Sequence, residues 1–186
     1  IVDIPSVQFG DIFKYEMTVS LMNTEKLDVL KQYMNSNENI DNFVETNAST
    51  GKLKNDKLGY DVAIFVPNEE EEFDKVCNLI DVSNNNKLSL SSEGIIITEK
   101  IAEFLNVKAG DEITLLDSNN AEYKFKISGI TKNYVSHYVY MSKEFYETNL
   151  STSYKTNMLL INTNDISEEA KNEISEKMLN IDVVAS

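Results

Sequence analysis

The sequence predicts an α+β fold, in which both ends of the chain form a mixed sheet with helices and a small β-rich subdomain is inserted between them. Near the N-terminus apolar and polar residues alternate, helical spacing follows, and the same strand–helix order returns near the C-terminus. The stretch between these ends is rich in short strands and turns. We therefore expect a discontinuous α+β subdomain over residues 1–87 and 151–186, and an inserted β-rich subdomain over 88–150.

The N-terminal block begins with a predicted strand and helix. Side chains from Phe13 to Leu21 alternate between apolar and polar, which is the period of a half-buried strand. Thr24 suits the N-cap of a helix that runs to about Asn35, because apolar residues then recur at helical spacing. Residues 40–46 are predicted to form the next strand.

A third strand is predicted over residues 60–66, where both faces are apolar and burial on both sides is expected. Pro67 ends it, and an acidic run opens a short helix predicted to reach Leu79, since carboxylates in a first turn complement the helix dipole. The following segment, residues 81–86, has the acidic and amide residues of a calcium loop but lacks its central glycine. We therefore predict no metal site.

The inserted block starts with a predicted strand over residues 95–97. Thr98 then caps a helix that extends to Leu105. Gly110 is expected to take the left-handed conformation that ends this helix.

A hairpin is predicted next in the inserted block. Residues 113–115 would pair with residues 123–127 across a turn at 117–120. Residues 135–141 are predicted to form a further strand, and Ser142 to begin a short helix.

The C-terminal block repeats the strand–helix order. Residues 158–161 predict a buried strand, and Asp165 with Glu168 predicts a capping box at the start of an amphipathic helix. A last strand is predicted over 182–185. The two flanks are therefore expected to share one sheet, with both termini on one side.

The charge of the chain excludes one class of partner. Its 17 basic residues are all Lys and face 31 Asp and Glu residues, which gives a net charge of −14. Such a surface repels phosphate backbones, so we expect no nucleic-acid partner. No run approaches the roughly 20 apolar residues that a membrane-spanning helix needs.

The sequence offers little material for catalysis. Cys77 is the only cysteine and lies in an apolar context, where a buried structural thiol is expected. His137 is the only histidine, and a triad built on it is possible only if the fold supplies partners. Motifs for phosphate binding and for zinc are absent from the sequence. We predict no catalytic residue, no cofactor and no metal.

A group of tyrosines in the second half of the chain allows two interpretations. Tyr134, Tyr138 and Tyr140 lie close together in sequence, and tyrosine suits interfaces because it joins an apolar face to a polar tip. They could form a contact surface for a lipid, a peptide or a sister domain. Alternatively, they pack in the core.

The inserted block resembles a known family. Residues 93–115 read EGIIITEKIAEFLNVKAGDEITL, a pattern of strand, short helix, Gly-Asp and strand that continues over 126–142. This pattern is similar to the extracytoplasmic region of MacB- and FtsX-like ABC transporter permeases, in particular those of Gram-positive type. The residues that carry the motif are Gly94, Ile97, Ala102, Gly110, Asp111 and Gly129, and each has a structural reason to be there.

The resemblance implies a MacB periplasmic-core-like fold and a non-enzymatic role at the extracytoplasmic face of the cell membrane. We expect a segment taken from between two transmembrane helices of an integral membrane protein. A cytoplasmic ABC ATPase would move those helices, and the domain would act on an extracytoplasmic protein, peptide, lipid or lipoprotein, or on a sister permease domain. The alternatives are a free or anchored extracellular ligand-binding or adhesion module, and a secreted hydrolase whose activity would depend on His137.

Overall fold

The computed structural model describes residues 13–22, 24–133 and 136–181. Within these ranges eight strands form one mixed sheet and five helices accompany it, which confirms the predicted α+β class. The strands are β1 (Met17–Ser20), β2 (Ile40–Lys54), β3 (Gly59–Pro67), β4 (Ile95–Thr98), β5 (Glu112–Leu116), β6 (Glu122–Thr131), β7 (Tyr138–Tyr140) and β8 (Met158–Thr163). The helices are α1 (Leu27–Ser36), α2 (Glu70–Phe73), α3 (Glu99–Leu105), α4 (Lys143–Asn149) and α5 (Glu168–Leu179).

Strand β2 belongs to both parts of the sheet. Its first half, from Ile40 to Thr46, pairs with β8, and β8 pairs in turn with β1. From Thr46 to Lys54 it pairs with β3. At a rise of about 3.3 Å per residue, its 15 residues span roughly 50 Å. One unbroken strand therefore runs from the terminal part of the fold into the inserted part.

Six strands close into a barrel. The order is β2, β3, β7, β4, β6 and β5, and β5 returns to β2 through pairs between residues 114–116 and 52–54. Two of the pairings, β3 with β7 and β4 with β6, are parallel, and the others are antiparallel. The barrel interior is filled by fully buried side chains, among them Leu53, Ile97, Leu115, Ile127 and Val139. Helices α3 and α4 add Ile101, Leu105 and Phe145 to this core.

Two further clusters pack on the outside of the strands. Helices α1 and α5 cover one face of the β1–β8–β2 region through Leu30, Met34, Ile174 and Met178. The segment after α2 forms the other cluster, in which Val44 and Leu160 from the terminal part meet Ile96 and Tyr140 from the barrel. This shared cluster joins the two parts of the molecule through one continuous apolar contact.

Several predicted boundaries are wrong. Helix α1 begins at Leu27, because Thr24 forms a turn in which its carbonyl accepts the Leu27 N–H at 3.2 Å. Helix α5 is capped by Ser167, whose hydroxyl accepts the Ala170 N–H at 3.3 Å, so the predicted Asp165 capping box is not formed. Both helices therefore begin later in the chain than the sequence predicts.

Two further elements differ in length from their predictions. Helix α2 ends at Phe73, well before Leu79, because the chain turns so that Cys77 can form a bridge with Phe13. Strand β2 continues to Lys54, eight residues beyond the predicted Thr46. The strand predicted over 182–185 lies outside the described residues. The subdomain boundary at 87/88 stays a prediction, and the sheet is continuous across it, since β3 pairs with β7.

Candidate contact surface

Gly94 and Ile97 place the first strand of the inserted block. A Cβ atom at Gly94 would lie 2.5 Å from the carbonyl oxygen of Lys126, so only glycine lets the chain enter β4 this close to β6. Ile97 follows on β4 and is fully buried inside the barrel. Thr98 occupies the N-cap position of α3 as predicted, but its Oγ1 accepts the N–H of Tyr138 at 3.2 Å rather than an N–H of the helix, and so ties β4 to β7.

In the motif, one residue ends helix α3 and a different residue forms the turn that follows it. Ala102 is buried against the barrel core. Helix α3 ends at Leu105, and the next residue, Asn106, takes the left-handed conformation with φ of 53°, so the prediction that Gly110 ends this helix is wrong. Gly110, with φ of 93°, lies in the next turn. There Asp111 accepts the N–H of Lys108 on Oδ2 at 2.9 Å, the hydrogen bond expected of it.

Gly129 lies on β6 beneath a flexible side chain. A Cβ atom at this position would meet the methyl groups of Leu88 at 3.1 and 3.2 Å. The six motif residues thus occupy the approach to β4, β4 itself, α3, the turn before β5, and β6. Each contributes to packing or to backbone geometry there.

The three tyrosines predicted as a possible contact surface occupy different environments. Tyr140 is 1% exposed and packs with Phe65 and Phe73, and burial holds the pKa of its hydroxyl well above the usual range. Tyr138 is half-buried and contacts Phe13 edge-on at 5.3 Å. Tyr134 lies outside the described residues. Only Tyr138 of the described pair therefore presents part of its ring to solvent.

Cys77 and His137 take part in different clusters. Cys77 is 1% exposed, and burial raises the pKa of its thiol to about 12, an effect that the hydrogen bond from Tyr140 partly opposes. His137 is half-buried against the rings of Tyr60 and Phe104, with centroids 6.2 and 5.8 Å away. Its Nδ1 is buried without a hydrogen-bond partner among the described residues. Asp61 and Asp117 line the same groove as His137, but within the described residues neither carboxylate forms a hydrogen bond or an ion pair with the imidazole.

An exposed aromatic group at one end of the barrel is absent from the sequence predictions. Phe104 on α3 is 44% exposed and stacks on Tyr60 at 5.2 Å, and Leu58 in the β2–β3 turn is 48% exposed. The side-chain amide of Asn55 donates to the carbonyl of Leu105 at 3.0 Å and so holds the turn against α3. We call Leu58, Tyr60, Phe104 and His137 the barrel-end patch. A signal for it existed, since Phe104 is an apolar residue beside the buried stripe of α3.

A groove of about 670 Å³ adjoins this patch through Leu58. Its charged residues are Lys52, Lys54, Lys57, Lys124, Asp56 and Glu122. Two of the lysines have partners: Lys54 contacts Glu122 at 2.8 Å, and Lys52 lies 3.8 Å from Asp61. Lys57 and Lys124 form no ion pair with the residues that the structure describes. We call these four lysines the lysine groove.

No group of three or more His, Cys, Asp or Glu side chains that could hold a metal ion occurs within residues 13–22, 24–133 and 136–181. In the same ranges, no helix is both long and apolar enough to cross a bilayer. The surfaces that the described chain offers to other molecules include the barrel-end patch, the lysine groove, and a groove of about 790 Å³ in which His137 lies with Asp61 and Asp117.

Comparison with solved structures identifies the fold. The periplasmic region of MacB from Actinobacillus actinomycetemcomitans superposes with a TM-score of 0.51 and 13% identity, over 91% of this chain and 85% of that one. This chain has the MacB periplasmic fold. The extracellular domain of YknZ, a noncanonic ABC-type transporter from Gram-positive bacteria, is similar, with a TM-score of 0.50, 13% identity, and coverage of 88% and 94%.

The MacB-like architecture agrees with the resemblance carried by residues 93–115. No family model matches the sequence, and no curated protein matches it. At 13% identity the similarity resides in the arrangement of strands and helices rather than in shared side chains. The two similar structures are extracytoplasmic parts of transporters, and their fold is what this chain shares with them.

Proposed function

We propose that this chain is the non-catalytic extracytoplasmic domain of an ABC transporter permease. In this role it passes the ATP-driven motion of transmembrane helices, powered by a cytoplasmic ABC ATPase, to an extracytoplasmic protein, peptide or lipid. The observation that carries the proposal is the shared fold, which extends over 91% of the chain when compared with the periplasmic region of MacB.

The packing of the two parts supports this mechanical role. A body that transmits movement must not bend where its parts join, and β2 crosses that junction without a break. Beside it, Val44 and Leu160 from the terminal part share one buried cluster with Ile96 and Tyr140 from the barrel. Packed interiors have low compressibility and transmit displacement. A movement of the terminal strands should therefore displace the barrel as well.

The titratable groups support a non-catalytic role. A thiol becomes a nucleophile as its thiolate, and burial raises the pKa of Cys77 to about 12, so the thiol stays protonated near neutral pH. The imidazole of His137 contacts two aromatic rings, and its Nδ1 has no hydrogen-bond partner among the described residues, so the nearby Asp61 and Asp117 do not orient it. A triad needs such an orienting group.

The proposal can be tested by distance measurements in the full-length permease. Cysteines introduced at Asp56, in the turn between β2 and β3, and at Glu169, at the start of α5, can be spin-labelled selectively because Cys77 is buried. In a permease–ATPase complex in lipid nanodiscs, the distance from the Asp56 label to labelled lipid headgroups should change between nucleotide-free and vanadate-trapped states. The distance between the two protein labels should stay constant.

An ATPase variant that cannot hydrolyse ATP provides the control, since vanadate should then produce no change. A domain-to-bilayer distance that is insensitive to nucleotide would contradict the coupling role. A change in the Asp56–Glu169 distance would contradict the rigid body. The simplest prior test is the parent reading frame, which should encode apolar spans of about 20 residues on both sides of this chain. Without those spans, the alternative of a free or anchored extracellular binding module takes precedence.

A further inference from the structure

The barrel-end patch stands out among exposed apolar surfaces. Five large apolar side chains of the described chain are exposed, and two of them, Leu58 and Phe104, lie at the same end of the barrel. The other three are Met22, Val29 and Leu179, in or next to the helices of the terminal part. Exposed apolar side chains that are grouped, rather than scattered singly, mark interaction sites.

The patch is held in a fixed shape by bonds within the protein. Asn55 accepts the N–H groups of Lys57 and Leu58 on its Oδ1 at 2.9 and 2.8 Å, and its amide reaches the Leu105 carbonyl. Phe104 lies on Tyr60 in a stacked arrangement. A preorganised surface loses little conformational entropy on binding. The patch is therefore suited to hold a ligand without rearrangement.

The charge beside the patch has the opposite sign to that of the whole chain. The lysine groove has four ammonium groups against the carboxylates of Asp56, Glu122 and the adjacent Asp61, an excess of one positive charge, whereas the chain carries −14. Lys57 and Lys124 are exposed and form no ion pair with described residues. An acidic ligand is thus attracted to this groove and repelled elsewhere, which orients its approach.

We propose that the barrel-end patch and the lysine groove together bind an acidic segment of a partner protein. Its carboxylates would lie along Lys52, Lys54, Lys57 and Lys124, and its apolar side chains would pack on Leu58 and Phe104. The partner corresponds to the extracytoplasmic protein that the proposed function requires, and to that extent the inference rests on that function.

Charge favours a peptide segment over two other occupants. A second copy of this chain would bring another body of −14 against the first, and an anionic bilayer would face the same repulsion over a wide area. A short segment contacts only the groove and the patch. Repulsion by the rest of the surface is then screened within about 8 Å at physiological ionic strength.

The test uses the 186-residue chain and a synthetic probe. The probe is a fluorescein-labelled peptide of about twelve residues in which Asp and Glu alternate with Leu and Phe, a composition that presents both kinds of contact. One control peptide carries Lys in place of the acids, and a second carries Ser in place of Leu and Phe. Binding is measured by fluorescence anisotropy in low salt and again in 300 mM NaCl, and the bound site is mapped by amide chemical shifts.

The acidic apolar probe should bind, and both control peptides should bind at least about tenfold more weakly. The double variant Lys57→Glu/Lys124→Glu and the single variant Phe104→Ser should each weaken binding about tenfold. Matched controls are Lys155→Glu, an exposed lysine elsewhere, and Leu179→Ser, which at 49% exposure is comparable to Phe104. Both controls should bind like the parent chain. Circular dichroism melting of each variant confirms that it is folded.

Three results would overturn the inference. The first is no binding of the probe at millimolar concentration, or binding that the patch variants leave unchanged. The second is binding to vesicles with 30% phosphatidylglycerol that depends on Lys57 and Lys124 while the probe fails to bind. The third is self-association by sedimentation that Phe104→Ser abolishes. Each outcome is independent of the nucleotide-driven distances, so the coupling role can stand if this inference fails.

Discussion

The two motif glycines at positions 94 and 129 provide a direct test of the barrel. The same substitution, Gly→Ala, is expected to be costly at Gly94 and nearly neutral at Gly129. Gly129 pairs with Ile96 of β4 and Gly94 comes directly before β4, and sequence alone gives no reason to treat the two glycines differently. The difference comes from what the added methyl group would meet.

The magnitude follows from the contact distances. At Gly94 the new Cβ lies 2.5 Å from the Lys126 carbonyl oxygen, and an ordinary contact begins at 3.4 Å, so backbone must retreat by about 0.9 Å. A shift of that size breaks one or two ladder hydrogen bonds and leaves buried backbone groups unpaired, which costs about 3 kcal/mol. At Gly129 the contacts are methyl groups of Leu88, which can rotate away. The loss there is about 0–1 kcal/mol, partly offset by reduced flexibility of the unfolded chain.

The assay is urea unfolding followed by far-ultraviolet circular dichroism, with thermal melting as a second measurement. Gly94→Ala should lower the melting temperature by roughly 10 °C, since each kcal/mol is worth about 2–4 °C in a protein of this size. Gly129→Ala should melt within about 3 °C of the parent. Equal stability of the two variants, or a larger loss at Gly129, would refute the close approach of β4 and β6 described above.

Three further outcomes are expected. Cys77 should react with Ellman's reagent roughly a hundredfold more slowly in the native protein than in urea, because burial blocks access and raises its pKa to about 12; rapid native reaction would contradict this. The free energy of unfolding should fall as pH rises from 10 to about 12, because burial raises the folded-state pKa of Tyr15 to about 12 and so favours the neutral phenol. The Tyr15→Phe variant should show a shallower fall, and identical curves for the two proteins would contradict this expectation. Ser142→Ala should lower the free energy of unfolding by about 1 kcal/mol in urea titrations, because the Phe145 N–H loses its cap at 3.1 Å, whereas Ser142→Thr should retain most of it.

Elements with a strong local signal were predictable from the sequence. Strand β3 is a run of mostly apolar residues that Pro67 ends, and the β5–β6 hairpin has a turn of Asp and Asn between two alternating runs, so both predicted elements are confirmed. Helix α4 begins after Ser142 as expected, since its hydroxyl accepts an N–H of the first turn. In each case the information lies within about ten neighbouring residues.

The second half of β2 could not be predicted in this way. Residues 47–51 are small or polar, and their strand conformation depends on pairing with β3 and, nearby, with β5 more than 60 residues away. Gly51 illustrates the point, because a Cβ there would lie 2.5 Å from the carbonyl oxygen of Leu116, at the seam where the barrel closes. Barrel closure is a tertiary contact that local periodicity does not encode.

The contact surface was also only partly accessible from the sequence. Alternation shows that Tyr138 and Tyr140 point the same way along β7, but not that the segment after α2 covers Tyr140. Phe104 received no prediction from the sequence, and it lies beside the buried stripe of α3 and remains 44% exposed. The side of a strand or helix on which a residue lies can be read from the sequence, whereas the burial of that side by a distant segment cannot.

The continuity of β2 and its hairpin also limits how this protein can be recombined with its relatives. A chimera that exchanged only residues 88–150 would leave β7 without the β3 surface it evolved beside, and β5 without its matching stretch on β2. An exchange that also includes β3 and the second half of β2 keeps every strand pair of the barrel within one parent. Grafts intended to move recognition properties between such domains should therefore be cut near residue 47, inside a strand, rather than in the loop near residue 88 where the sequence predicts a subdomain boundary.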